Sequence, residues 1–207
     1  MLIKDAKKIT YSLTRTSKMP GKSYSLPAWA CQTGSKLRKI EGTPCFSCYA
    51  LKGNYIRYAK NIEPVQKRRL ESISNPNWVN AMVYIMKHQK QVINSGLFRW
   101  HDSGDIQSFK HLDKIVQIAK QTPNIKHWLP TKESKFINNY KGDIPKNLII
   151  RLSGSFIDGK APIYKNTSTV TTNKDKATCR SFENNGQCKD CRKCWDSSIK
   201  NISYLNH

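Results

Sequence analysis

Leu97-Phe98-Arg99-Trp100, then Ser108 to Gln121, then His127-Trp128-Leu129 read as a strand, a helix and a strand, and that reading decides the fold. The helix sets Phe109, Leu112, Ile115, Val116 and Ala119 on one face, the spacing of a helix that buries a single stripe. Pro123 stops it, because proline cannot donate the next helical hydrogen bond. A short helix over 133–140 and a further strand over 147–152 continue the alternation. Strand, helix, strand, helix, strand is the pattern of parallel βαβ units with right-handed crossovers. The expected fold class is α/β: a parallel βαβ sheet, partial-barrel-like or open, with irregular cysteine-bearing segments at both ends.

Upstream, Ser74-Asn75-Pro76 starts a helix in which Trp78, Met82, Ile85, Met86 and Ile93 recur as a core stripe. A short basic helix is expected over 63–72. Residues 1–60 are punctuated by Gly21, Gly34, Gly42, Gly53, Pro20, Pro27 and Pro44 and read as irregular. Downstream, 167–172 reads as one more strand. The expected organisation is a single domain over 1–207: a cysteine-bearing segment 1–60, an α/β centre 61–172 and a cysteine-rich tail 173–207.

The 207 residues suffice for one buried core. No apolar run approaches the ~18 residues of a membrane span. Met1-Leu2-Ile3-Lys4-Asp5-Ala6-Lys7-Lys8 has no apolar stretch of an export signal. Lys plus Arg number 36 against 14 Asp plus Glu, a net charge of +22. Such a surface suits nucleic acid, phosphorylated ligands or acidic partners. A composition rich in Lys, Asn and Ile, as AT-rich genes encode, produces the same excess.

Seven cysteines fall into two clusters, Cys31-x13-Cys45-x2-Cys48 and Cys179-x8-Cys188-x2-Cys191-x2-Cys194. An odd number without an export signal argues against a disulfide framework. A Cys-x2-Cys turn lets two thiolates converge on one metal or one cluster face. The triple Cys188, Cys191, Cys194 follows the ferredoxin-type run, with Cys179 as a fourth ligand. Separated Cys-x2-Cys pairs would instead suggest zinc, which stays as the alternative. The spacing favours one or two [4Fe-4S] clusters. The first group offers only three thiolates. These could leave one iron open, hold zinc with a histidine, or join the tail around a single cluster.

Ligands gather outside the carboxyl ends of parallel strands. There the chain offers His101, Asp102, Ser103 and Asp105 after the first strand, Lys132 after the second, and Arg151 leading to Ser153-Gly154-Ser155 after the third. His101 is the candidate general base or proton donor. Asp105 would orient it or cap the next helix. Lys132 and Arg151 would hold a carboxylate or phosphate. Ser103-Gly104-Asp105 is equally an ordinary turn. No Walker loop, dinucleotide fingerprint or nucleophile elbow is present.

Ser17-Lys18-Met19-Pro20 with Leu26-Pro27 and Cys31, then Pro44-Cys45-Phe46-Ser47-Cys48-Tyr49-Ala50, then Arg99-Trp100-His101 with Ser103-Gly104-Asp105, and finally Gly186-Gln187-Cys188, Cys191 and Cys194-Trp195 together resemble the phage gene product 88 family, over about residues 10–196. The resemblance implies phage origin, the cytoplasm of an infected bacterium, and iron–sulfur binding through the seven cysteines. Cys31 and Cys179 depart from the pattern, being followed by Gln32 and Arg180 where proline is expected. The layout of three N-terminal cysteines, a parallel centre and a cysteine-rich tail also resembles radical S-adenosylmethionine enzymes. Their Cys-x3-Cys-x2-Cys loop is not met here.

Three functions are therefore expected in order. The first is an enzyme with an open-iron [4Fe-4S] cluster acting on a small sulfur-containing or carboxylate molecule, of lyase or sulfur-transfer type, for example in cysteine desulfuration. The second is a nucleic-acid-binding protein using Trp100, Trp128 and Trp195 with a structural zinc or cluster. The third is an electron carrier.

Overall fold

The computed structural model describes residues 1–206. Seven strands form one sheet: β1 Thr14–Arg15, β2 Lys22–Tyr24, β3 Leu97–Trp100, β4 Lys126–Thr131, β5 Leu148–Ile157, β6 Thr167–Thr171 and β7 Asn201–Leu205. Their order in space is their order in sequence. β1 pairs antiparallel to β2, and every later pairing from β2 to β7 is parallel. A mixed α/β fold with a mostly parallel sheet is thus what the sequence led one to expect. The helices are α1 Ile3–Thr10, α2 Gln32–Leu37, α3 Asn54–Arg57, α4 Ala59–Ser72, α5 Trp78–His88, α6 Lys90–Ser95, α7 Phe109–Gln121 and α8 Ser134–Asn138.

Strand alternation sorts the side chains onto two faces. Phe98, Trp100, Leu129, Leu148 and Ile150 join the core made with α1, α5 and α7. Leu97 and Trp128 point the other way and pack on Trp195 of the tail. Trp195 also donates its indole N–H to the Phe98 carbonyl at 2.8 Å, fastening the tail to β3. Ser108 caps α7 by accepting from the His111 N–H at 3.1 Å.

The buried polar groups of this core are fitted closely. His127 Nδ1 accepts from the Trp100 indole at 3.3 Å, and its Nε2 lies 2.8 Å from the Thr122 hydroxyl. Since Trp100 can only donate, the proton of the ring must sit on Nε2. Burial pushes the pKa of His127 down to about 3, so it stays neutral.

Several expectations need correction. Ile93 does not join the core stripe; it is 55% exposed. The helix breaks at Gln89, whose ψ of 106° is extended, and α6 restarts in a new register that buries Val92 instead. Phe109 is 41% exposed and only borders the core, edge-on against Phe136. The third central strand does not stop at Leu152 but runs to Ile157, so Ser153-Gly154-Ser155 lies inside it. The first segment carries α1, β1 and β2, and the tail carries β7, so neither end is wholly irregular.

Candidate functional site

The segment after β2 threads past the end of β3. Ser23 donates to Asp102 Oδ1 at 2.5 Å, Leu26 N–H donates to the Ser103 carbonyl at 2.9 Å, and the Ser103 hydroxyl donates to the Leu26 carbonyl at 2.7 Å. Gly104, at φ +77°, faces Leu26 so closely that a Cβ would stand 2.5 Å from the Leu26 Cβ. Only glycine suits that conformation and that approach. From Leu26 the chain turns through Pro27 to Cys31, which is thereby set over the carboxyl ends of the strands.

Glu133, at the end of β4, holds the next residues. Its carboxylate accepts from the Thr33 N–H at 2.8 Å and the Thr33 hydroxyl at 2.7 Å. The Gln32 amide donates to the Gln107 carbonyl at 2.6 Å. Gly34 then presents its bare face to the thiols: a Cβ there would lie 3.0 Å from Cys31 Cβ, 3.6 Å from Cys45 Sγ and 3.7 Å from Cys31 Sγ. Tyr49, directly after Cys48, donates its hydroxyl to the Asp102 carbonyl, and Tyr55 donates to Asp102 Oδ2 at 3.3 Å.

Cys31, Cys45 and Cys48 therefore form one group beside Asp105, Lys132 and Glu133. Burial raises the pKa of Cys31, and the charges of Asp105, Cys48 and Cys45 push the same way. Burial also raises Cys45, with the Lys132 ammonium opposing it. Lys132 is itself pushed down by burial, against the attraction of Cys45 and Asp105. Its ammonium donates to the Gly154 carbonyl.

The tail makes a second group. Cys179, Cys188, Cys191 and Cys194 all line one cavity of about 190 Å³, with Ser181 and Trp195. The Cys188 N–H donates to the Lys18 carbonyl at 2.8 Å, and Cys191 N–H to Cys188 at 2.9 Å, closing the Cys-x2-Cys turn. Cys194 Sγ meets the Tyr204 hydroxyl at 3.3 Å. Burial raises Cys194 to about 12 and raises Cys188, to which Cys179 adds. The cysteines thus gather in two places.

Among the described residues, no group of three or more His, Cys, Asp and Glu side chains is arranged around one metal ion. A [4Fe-4S] cluster binds each thiolate through a different iron, so its ligands stand further apart than those of one ion. Both groups fit such a guest. The tail cavity exceeds the needs of a single ion, and the absence of a side chain at Gly34 lets the chain pass close to Cys31 and Cys45, where a Cβ would crowd Cys31 at 3.0 Å. Buried thiols with raised pKa values also need a cation to hold their charge once ionised.

The remaining predicted site residues part company. Asp105 neither orients His101 nor caps α7. Its Oδ1 accepts from Thr131 at 2.6 Å and Ile106 N–H at 2.8 Å, and its Oδ2 from Lys132 N–H at 2.9 Å. Burial lifts its pKa to about 6. His101 is buried against Trp100 and His111, with ring centroids 6.2 and 5.3 Å away, and both its ring nitrogens lack a partner. Burial, His111 and Arg99 hold it well below the usual range, so it carries no proton to donate as an imidazolium near neutral pH. Ser103 is committed to Leu26 and to the Gln66 amide at 2.8 Å.

Arg151 is fully buried, and its donors are taken by backbone carbonyls of Lys193, Cys194, Asp196, Ile199 and Thr167. It braces the tail rather than waiting for a carboxylate. Trp100, Trp128 and Trp195 are all buried and offer no surface for stacking bases. Of the non-cysteine candidates, Asp105 and Lys132 stand with the N-terminal thiols. Glu133 and Tyr49 belong there too, Arg99 stands by Tyr49 and the tail thiols, and none of the three was singled out from sequence.

A family model described as gene product 88 matches residues 1–197. Comparison with the curated proteins and with the solved structures finds no match. No helix among the described residues is long and apolar enough to cross a membrane.

Proposed function

The chain belongs to the gene product 88 family, and from that premise we propose an iron–sulfur enzyme of the infected bacterial cytoplasm, acting on a small sulfur-containing or carboxylate molecule. The observation that carries this reading is the inequality of the two cysteine groups. Four thiols share the tail cavity, a complete ligand set. Only three stand at the carboxyl ends of β3 and β4, beside Lys132. A [4Fe-4S] cluster held by three cysteines supplies an open iron, a Lewis acid that suits a thiolate or carboxylate.

The chain's own residues prepare that place. Glu133 fixes the turn from Cys31 to Thr33, and Asp105 ties the loop after β3 to the end of β4. Lys132, lowered by burial and next to Cys45, is the amine placed to take or give a proton and to attract an anion. The tail group serves as a second, fully ligated centre for electron transfer or for holding the fold. The test is iron and acid-labile sulfide per chain after oxygen-free purification, followed by titration with L-cysteine. The reading expects both elements and a visible-spectrum change on titration. Zinc without sulfide would overturn it.

One observation favours a second reading, radical S-adenosylmethionine chemistry. β2 to β7 run parallel in sequential order, as in a partial barrel, with the three thiols at the carboxyl ends. With dithionite as electron donor, this reading expects methionine and 5′-deoxyadenosine from S-adenosylmethionine.

A further inference from the structure

Arg99 lies between Phe98 and Trp100, which both point into the helical core. Its own side chain takes the opposite face, over the Trp128 ring at 4.5 Å from the centroid. Five groups of charge or potential charge surround it: Tyr49, Asp102, Tyr204, Cys194 and Cys188. Arg99 thus stands beside the tail thiols Cys188 and Cys194, with Tyr49, the neighbour of Cys48, also against it.

None of these satisfies it as an ion pair. Among the described residues the ion pairs are Lys8–Asp5 and Arg180–Glu183, both at the surface. The Asp102 carboxylate is engaged by Ser23 and Tyr55. The Tyr204 hydroxyl is paired with Cys194, and the Tyr49 hydroxyl, which donates to the Asp102 carbonyl, gives the guanidinium a neutral hydrogen-bond partner and no counter-charge. Arg99 Nη1 reaches the Met19 sulfur at 3.8 Å, a weak acceptor, while Nε is buried without a partner. A buried guanidinium is costly unless its donors and its charge are met. Arg151 on the same face shows the satisfied case, with all its donors spent on carbonyls.

We propose that Arg99 anchors an oxyanion, a carboxylate or a phosphate, on a small molecule bound beside Tyr49 and the tail thiols. The planar fork of arginine takes such a group with two parallel hydrogen bonds. Tyr49 flanks the place, its ring 60% exposed although its hydroxyl is tucked inward. The proposal rests on the enzyme reading for calling this a substrate site, whereas anion binding itself needs no metal.

The experiment is titration of the full-length protein, as purified without oxygen, with succinate in one arm and inorganic phosphate in the other. Tryptophan fluorescence reports it, because Trp128 lies under the guanidinium. Saturable binding is expected in at least one arm, and the tighter arm names the oxyanion. Arg99→Gln should weaken it about tenfold or more, the loss of a charge-assisted pair. Arg99→Lys, which keeps the charge, should fall between and covers the case of a glutamine variant that fails to fold. Lys120→Gln, exposed on α7, should bind like the parent.

Equal affinity in the parent and in both Arg99 variants would overturn the proposal. So would no saturable binding in either arm. Binding that appears only after the metal is stripped would also overturn it, making Arg99 the counter-ion of the tail centre. Arg99-dependent binding in a protein without iron or sulfide would sustain the anchor while removing the iron–sulfur reading.

Discussion

Arg151 Nε donates to the carbonyl of Cys194 at 3.1 Å, so a side chain from the middle of β5 holds the loop that carries the last tail cysteine. Nη1 and Nη2 extend the grip to Ile199, Lys193 and Asp196. Removing this group leaves several buried carbonyls without donors. Arg151→Met should therefore lower unfolding stability by on the order of 3 kcal/mol. It should also open the tail to proteolysis near Cys194 before the rest of the chain. Denaturant unfolding and limited digestion check it. An unchanged midpoint with a protected tail would show that the brace is unnecessary.

Glu133 does the corresponding work at the other centre. Glu133→Ala frees both donors of Thr33 and loosens Cys31, while the tail is untouched. Iron bound through the N-terminal group should fall several-fold, with tail-bound iron retained. Iron analysis of the variant beside one lacking the tail cysteines separates the two.

Gly34→Leu should have the same selective effect for a different reason. Its side chain would press on Cys31, whose Cβ would be 3.0 Å from the new Cβ, and on Cys45 Sγ at 3.6 Å. Helix propensity moves the other way, since glycine costs about 1 kcal/mol inside a helix. Metal loss without loss of thermal stability is the expected pair of results. Parallel loss of both would mean that the glycine serves the fold alone.

Acid should unfold the protein from the core. His127 and His111 both have pKa values near 3 in the folded chain, depressed by burial. Unfolded, each binds a proton below its ordinary value of 6.5, so the unfolded state gains as pH falls. Their contribution is complete above pH 6.5 and is lost progressively towards pH 3. Asp105, raised to about 6, works oppositely and favours the folded state as pH falls from 6 to 4. With His101 also held well below its usual range, three depressed histidines outweigh one raised carboxyl. Stability should drop between pH 6.5 and 4, and His127→Gln should flatten that slope. A flat profile in the parent would contradict the buried, neutral state assigned to His127 and His111.

What the sequence disclosed follows from where its signals were local. β3 and α7 were legible to within one residue, because apolar spacing, the Ser108 cap and Pro123 all act within a few residues. The cysteine clusters declared themselves by spacing. Arg151 was misread because its strand looked finished at Leu152, whereas pairing with β6 carries β5 through Ser153-Gly154-Ser155 to Ile157. His101 looked catalytic at a strand exit, but its positive φ of 52° leaves it in the core beside His111. Arg99 carried a signal that alternation could have revealed. A charged residue between two large apolar ones in a short strand must face away from their core. Glu133 and Thr33, a hundred residues apart, had no such local mark.

The central claim is that the chain holds two separate iron–sulfur centres, one of them short of a cysteine. The most direct measurement is iron and acid-labile sulfide per chain, without oxygen, in the parent, in Cys45→Ser/Cys48→Ser and in Cys188→Ser/Cys191→Ser. The account predicts that each double variant loses about half of both elements. It also predicts that L-cysteine perturbs the spectrum only where Cys45 and Cys48 remain. Loss of all iron in either variant would show a single shared centre, and zinc without sulfide in all three would contradict the account outright.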